Sequence, residues 1–302
     1  MPKPSFFIVG APKCGTTALC KYLNRHPDIF IPQLKELHYF DTDLKTKSKA
    51  HSRSEYLALF ADRAGKICGE GTPTYLYSKT AAEEIYRFEP KAKIIIMLRE
   101  PISMMYALHS QHLFNGSSET VPDFEKALML EPERKIGKHI PDRCVEPKIL
   151  FYREIASFTA QVKRYLDIFG KAQVKIILFD EFTQATEKIC QETFLFLGVN
   201  PTFETDFSPI NANKKVRSYF LQKLLKYPPA EVLAVGKYLV PLPQSWRRKL
   251  LETTKAALKR LNTEQKPRPP LATSLKKRLS EEFVLEVQQL ANLIGRDLNH
   301  WL

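Results

Sequence analysis

Three apolar, β-rich runs punctuate the chain: Phe6–Val9, Ile94–Leu98 and Val174–Phe179. Their continuous rather than alternating apolar character predicts strands buried on both faces, as in a parallel sheet. A helical pattern follows each run. After the first, Ala18, Leu19, Tyr22 and Leu23 share one face, closed by Pro27. After the second, Pro101 suits a first helical turn, and Met105, Leu108, His109 and His112 fall on a common face. After the third, a helix over Glu187–Leu197 runs into Gly198, a good C-cap. Ahead of the third run, Ile155, Phe158, Val162, Leu166 and Phe169 repeat at helical spacing up to Gly170. Near the end, Phe283, Val284, Val287, Leu290 and Ile294 outline one more amphipathic helix. Strands alternating with helices predict an α/β fold with a central parallel sheet flanked by helices.

Composition narrows this picture. A chain of 302 residues with 44% hydrophobic content can bury a full core, and the expectation is a single domain over 1–302. No run is long enough to cross a bilayer, and MPKPSFFIVG has neither a secretory apolar core nor a cleavage site. A soluble, cytoplasmic protein with no membrane partner is expected. The cysteines at 14, 20, 68, 144 and 190 are odd in number and lack a Cys-x-x-Cys pair, which argues for reduced, packed thiols rather than disulfides or zinc. Net charge is +13, and residues 214–278 hold 17 Lys/Arg against 3 Asp/Glu. That stretch is expected to form a basic, helical C-terminal cap within the domain. Its charge favours anionic partners: a nucleotide, a sulfated or phosphorylated substrate, an acidic protein or nucleic acid.

The candidate chemistry begins at the end of the first strand, in GAPKCGTT (Gly10–Thr17). Strand, glycine turn and helix N-terminus together make an anion site, because first-turn N–H groups and the helix dipole both face the ligand. Gly15 allows close backbone approach, and Thr16 and Thr17 add hydroxyls. A nucleotide P-loop has lysine after its second glycine; here Thr16 stands there and the only lysine is Lys13. An ATP-using kinase or NTPase is one reading, with Asp180-Glu181 after the third strand as its metal carboxylates. Against it, the middle strand ends in LREP, which puts Arg99 where a metal site wants a carboxylate. A non-catalytic binder of polyanions is another reading.

Five motifs in order carry a family resemblance: FFIVGAPKCGTTAL, KELHYFD (Lys35–Asp41), GEGTPTYLY (Gly69–Tyr77), IIIMLREPISMMYALHSQ (Ile94–Gln111), and FLGV followed by NANKKVRSY (Asn211–Tyr219). With LIGRDLNHWL at the end, they resemble sulfotransferases that use 3′-phosphoadenosine 5′-phosphosulfate (PAPS), in the heparan-sulfate-type branch and its stand-alone bacterial or natural-product relatives. The resemblance covers essentially the whole chain and implies a P-loop-like, nucleotide-kinase-like fold. It also implies transfer of a sulfuryl group from PAPS, leaving 3′,5′-adenosine bisphosphate (PAP), with no metal required.

The resemblance assigns roles to residues here. Lys13 stabilises the oxygen between phosphorus and sulfur, with the backbone around Cys14, Gly15, Thr16 and Thr17 cradling the phosphosulfate. Arg99 takes the 3′-phosphate, and Lys214, Lys215 and Arg217 match a late basic loop closing over the nucleotide. Glu36 matches the base that removes the acceptor proton, and His38 beside it is a further catalytic candidate, orienting the base or the acceptor. His109, His112 and Glu70 are candidates for the acceptor side, His109 and His112 as one helical face. The family's usual serine eight residues past Arg99 is Ala107 here, with Ser103 and Ser110 one turn to either side. The expected acceptor is a small molecule or a group on an acidic carrier protein, without nucleic acid as a partner.

Overall fold

A computed structural model describes residues 2–34, 36–46, 52–61, 63, 65–116, 118–203, 206–208, 214–216, 253, 258, 262–265 and 268–302. Five strands form one parallel sheet: β1 (Pro4–Gly10), β2 (Ile29–Phe30), β3 (Ile67–Gly71), β4 (Lys93–Leu98) and β5 (Val174–Leu178), in the order β2-β3-β1-β4-β5. Phe6 to Val9 and Ile94 to Leu98 are fully buried, as their continuous apolar character predicts. From β1 the chain builds one side of the sheet through β2 and β3, then crosses to the other through β4 and β5. The strand order therefore reverses at β1, where ligands of open α/β sheets bind beyond the carboxyl ends of the strands.

Strand β3 has no apolar run to announce it, because ICGEG is nearly half glycine. Contacts across the sheet explain the glycines. A Cβ on Gly69 would lie 2.0 Å from the Phe6 ring, and one on Gly71 would lie 2.6 Å from Cys20 Sγ. Large neighbours fill the space that side chains on β3 would take.

Helices follow the sequence pattern closely. Thr16–Leu23, Pro101–Asn115 and Thr186–Leu197 lie after the three predicted strands, the last closed by Gly198 at φ 85. The stretch 155–169 is two helices, Tyr152–Ala156 and Phe158–Phe169. At the break, Gln161 Nε2 donates to the carbonyls of Glu154, Ile155 and Ser157, replacing helical hydrogen bonds. The last helix, Thr273–Ile294, is longer than its apolar signature. It buries Leu275, Leu279, Phe283, Val287 and Leu290 against Phe158–Phe169 and Pro101–Asn115. At about 1.5–3 kcal/mol per buried large apolar side chain, that stripe is a substantial part of the core.

Cys14, Cys20, Cys68 and Cys190 are buried free thiols and Cys144 is a half-buried one. Among the described residues no helix is long and apolar enough to cross a membrane. Most of the basic segment 214–278 lies outside the described residues. Within it, β6 (Lys214–Val216) pairs antiparallel with β7 (Thr263–Gln265).

Candidate active site

The loop after β1 is fastened from both sides. Ala11 N donates to Met97 O at 2.7 Å, and Leu76 N donates to Val9 O at 2.7 Å. Lys13 sits at φ 62 and Gly15 at φ 92, which turns the chain from strand to helix. Gly15 is required twice over: its φ disfavours any side chain, and a Cβ would meet the Phe179 ring at 3.1 Å and Met97 Cε at 3.3 Å. The helix Thr16–Leu23 then begins with Ala18 N and Leu19 N bonded back to Gly15 O. The N–H groups ahead of them have no intrahelical acceptor and face the space beyond the sheet.

That space is a cavity of about 900 Å³. Lys13, Gly15, Thr16, Thr17, Glu36 and Arg99 all line it. Lys13 Nζ donates to Gln111 Oε1 at 3.1 Å, and Gln111 Nε2 donates on to Asn115 Oδ1 at 3.0 Å. Arg99 lies 4.6 Å over the Phe179 ring and reaches the Lys13 carbonyl oxygen through Nη1 at 3.4 Å. A third cation, Arg268, also lines the cavity. Burial, then the charges of Arg268 and Arg99, hold the Lys13 ammonium below its ordinary range, and Glu36 works in the opposite direction. Burial lowers Arg99 and Arg268 as well, the latter helped by Arg99. Three mutually repelling cations around one helix N-terminus form a preorganised cradle for a multiply charged anion. Cys14 contributes backbone only. Its side chain is buried, and burial pushes the thiol up to about 12, so it is no nucleophile.

Glu36 stands in a tight turn beside β3. It is exposed toward the cavity, has φ 54, and its N–H donates to Gly71 O at 3.3 Å. His38, at φ 52, is turned to Asp41, with Nδ1 2.8 Å from Oδ2. Thr74, which lines the cavity, donates to the same Asp41 oxygen at 2.7 Å and approaches His38 Nδ1 at 3.2 Å. Lys35 lies outside the described residues.

The structure brings together Lys13, Gly15, Thr16, Thr17, Glu36, Arg99 and His112 and leaves other candidates elsewhere. Glu70 is buried beneath the Glu36 turn and does not line the cavity. Its carboxylate accepts from Thr72 Oγ1 at 2.7 Å, from Tyr75 OH at 2.6 Å and from Tyr56 OH. Burial raises its pKa while the three hydroxyls oppose the rise. His109 is buried, bonded to Val121 O at 2.9 Å, and does not line the cavity. His112 does reach the cavity. Burial drives its pKa down to about 4, so it is neutral at pH 7. Beneath it, Tyr152 OH donates to Glu119, which forms a buried bidentate pair with Arg134 at 2.8 Å on both bonds. Ser110 donates its hydroxyl to Tyr106 O at 2.8 Å, and neither it nor Ser103 lines the cavity in place of a serine at Ala107. The side chains of Lys214 and Lys215, and the whole of Arg217, lie outside the described residues.

The carboxylates proposed for a metal are engaged elsewhere. Asp180 Oδ2 is 2.6 Å from His300 Nε2, and Glu181 pairs with Arg296. Among the described residues no three His, Cys, Asp or Glu side chains group as metal ligands.

Sequence reasoning missed Arg268, Gln111 and the aromatic side of the cavity. Arg268 was hidden among the many basic residues of its segment, though its place between Pro267 and Pro269 is distinctive. Gln111 lies just past the predicted helix face. Tyr22, Phe179, Phe182 and Phe207 line the cavity as an aromatic side, with Tyr22 inclined 50° to Phe182 and 70° to Phe207. Phe179 reads in sequence as the last residue of a strand.

Comparison with known proteins adds an independent finding. The profile of the sulfotransferase domain matches residues 3–219. The crystal structure of a sulfotransferase from Alicyclobacillus acidocaldarius superposes with a TM-score of 0.72 at 29% identity, covering 100% of this chain and 99% of that one. Mouse carbohydrate sulfotransferase 15 is 25% identical over 254 residues, which are 67% of this chain and 45% of that protein. Mouse bifunctional heparan sulfate N-deacetylase/N-sulfotransferase 3 is 22% identical over 206 residues, which are 66% of this chain and 23% of that protein. The chain spans less than half the length of these two curated relatives.

Proposed function

The chain belongs to the sulfotransferase domain family, and from that premise we propose that it moves a sulfuryl group from PAPS to a hydroxyl or amine of a small-molecule or carrier-bound acceptor. The observation that carries this is the convergence of Lys13, Arg99 and Arg268 beside one helix N-terminus, with Glu36 the one carboxylate among the described residues that lines the same cavity. A bisphosphorylated nucleotide suits that donor set: two phosphate groups for three cations, and a purine for the aromatic side of the cavity. The cavity has room for both nucleotide and acceptor.

In this account Glu36 accepts the proton of the attacking hydroxyl or amine. The new bond forms to sulfur, the sulfur–oxygen bond to the 5′-phosphate breaks, and its electron pair stays on the oxygen of departing PAP. Lys13 and the first-turn N–H groups stabilise the charge growing there, without reorganisation, because Gln111 already holds the ammonium in place. Arg99 and Arg268 hold the 3′-phosphate. Arg268 supplies the second contact that Ala107 cannot. His38, bonded to Asp41, steadies the base turn rather than reaching the cavity.

The cavity is also lined by Thr74, Tyr77, Leu108, Ile149 and Ile155. Its lysines and arginines among the described residues are Lys13, Arg99 and Arg268, all given to the nucleotide in this account, which supports an uncharged acceptor over a polysulfated glycan. Five free thiols suit a reducing cytoplasm. The test is PAPS turnover, followed as PAP formation, across a panel of apolar alcohols, phenols and amines. Wild type should form PAP in an acceptor-dependent way, and Glu36→Gln should lose roughly 10²–10⁴-fold, the range for a general base. Full activity of Glu36→Gln would end this mechanism.

A further inference from the structure

The motif Glu70-x-Thr72-x-x-Tyr75 matches no ligand in the cavity, yet it is wired to the turn that carries Glu36. Each of its hydroxyls has one proton. Thr72 donates its own to Glu70 Oε1 at 2.7 Å, and Tyr75 donates its own to the same oxygen at 2.6 Å. Their lone pairs are then free to accept. Thr72 Oγ1 accepts from Leu37 N at 3.0 Å, and Tyr75 OH accepts from Tyr39 N at 2.9 Å and Phe40 N at 3.3 Å. Three of the four amides after Glu36 thus end on two hydroxyls that one buried carboxylate orients. The turn needs such a clamp, because Glu36 and His38 both hold positive φ without being glycine.

We propose that Glu70 is a positioning residue for sulfuryl transfer: its carboxylate fixes the Thr72 and Tyr75 hydroxyls as acceptors, and these lock the turn that aims Glu36 at the acceptor. The proposal rests on the reading of Glu36 as base. Polarity, not shape, is the working feature. A glutamine at 70 can hold its carbonyl oxygen in the Oε1 place, still accepting from Thr72 and Tyr75, with its amide turned to Tyr56. A methionine removes the acceptor altogether, and both hydroxyls lose the partner that orients them. Tyr56 provides an internal comparison. Its hydroxyl also donates to Glu70, but it bonds no amide of the turn, and its ring stacks on Tyr39 at 4.2 Å through carbon.

The experiment compares Glu70→Met, Tyr75→Phe and Thr72→Val, with Glu70→Gln and Tyr56→Phe as conservative counterparts, against wild type and Glu36→Gln, well below each variant's unfolding temperature. Three quantities are read: amide exchange over 36–41, affinity for PAP, and PAP release from PAPS with the acceptor of the panel that wild type turns over fastest. Glu70→Met, Tyr75→Phe and Thr72→Val should exchange those amides faster and release PAP roughly 10- to 100-fold more slowly, the scale of a small misplacement of a catalytic group. Their PAP affinity should stay within about threefold of wild type, since the phosphate cradle is on another loop. Tyr56→Phe and Glu70→Gln should keep near-normal turnover and exchange. Equal turnover in Tyr75→Phe and Tyr56→Phe, with Glu36→Gln inactive, overturns the positioning role alone. Undiminished turnover in Glu36→Gln overturns the base assignment and this proposal with it. Should Tyr75→Phe fail to fold, Thr72→Val carries the same comparison with a near-isosteric change.

Discussion

Replacing Arg268 with alanine tests the contribution that only the folded chain reveals. Arg268 lines the cavity with Arg99 and Lys13, and its charge helps depress the Lys13 ammonium. A charge-assisted hydrogen bond to phosphate contributes about 1.5–3 kcal/mol, a factor of roughly 10 to 150 in Kd. Part of that loss is offset, because removing one of three repelling cations lets Lys13 and Arg99 hold charge more easily. The expected net effect of Arg268→Ala on PAP is therefore in the lower part of the range, about 10- to 50-fold by calorimetry. ADP, which lacks the 3′-phosphate, should lose no more than about threefold, a difference of under 1 kcal/mol. Arg99→Ala should show the same selectivity with a larger loss, since it also removes the bond to the Lys13 carbonyl oxygen. Equal weakening of PAP and ADP would refute the assignment of Arg268 to the 3′-phosphate, and an unchanged PAP affinity would remove Arg268 from the site.

Gly15→Ala should destabilise the fold by on the order of 1–3 kcal/mol, since an L-residue at that φ is strained and the Phe179 ring and Met97 must give way, and weaken PAP in parallel; an unaltered melting temperature and affinity would contradict the tight-loop account. His112 gives a pH signature. Burial lowers its pKa to about 4, so between about pH 6.5 and that value the unfolded chain binds a proton that the folded chain refuses. This contribution is fully present above pH 6.5 and lost as pH falls toward 4, up to about 3 kcal/mol in all. Urea unfolding across that window should show stability falling with pH, with a shallower slope in His112→Gln; identical slopes would assign the acid sensitivity elsewhere.

Much of the fold was legible because burial on both faces writes itself as unbroken apolar runs. Phe6–Val9 and Ile94–Leu98 predicted β1 and β4 for that reason. The glycines of β3 erased the same signal, since its packing atoms belong to Phe6 and Cys20 across the sheet. The turn from β1 into the helix Thr16–Leu23 was legible too, as strand, glycine turn and helix are local in sequence. Glu70 was legible as part of a motif but not in its place: acid residues near an active site read alike until burial and three hydroxyl donors separate a support from a contact. His109 and His112 share a helical face, yet only His112 reaches the cavity, a difference of side-chain direction that spacing does not carry. Arg268 joins the loop after β1 through tertiary contacts spanning most of the chain, which no local pattern encodes.

The central claim is a site for a 3′-phosphorylated sulfonucleotide, and thermal unfolding with PAP, ADP or Mg-ATP tests it most directly. A ligand at about a hundred times its Kd adds roughly 2.7 kcal/mol to the folded state, enough to raise the melting temperature by a few degrees. The account predicts that PAP stabilises wild type without any divalent ion, that ADP does so less, and that Lys13→Ala diminishes the shift. Stabilisation by Mg-ATP in preference to PAP would contradict it.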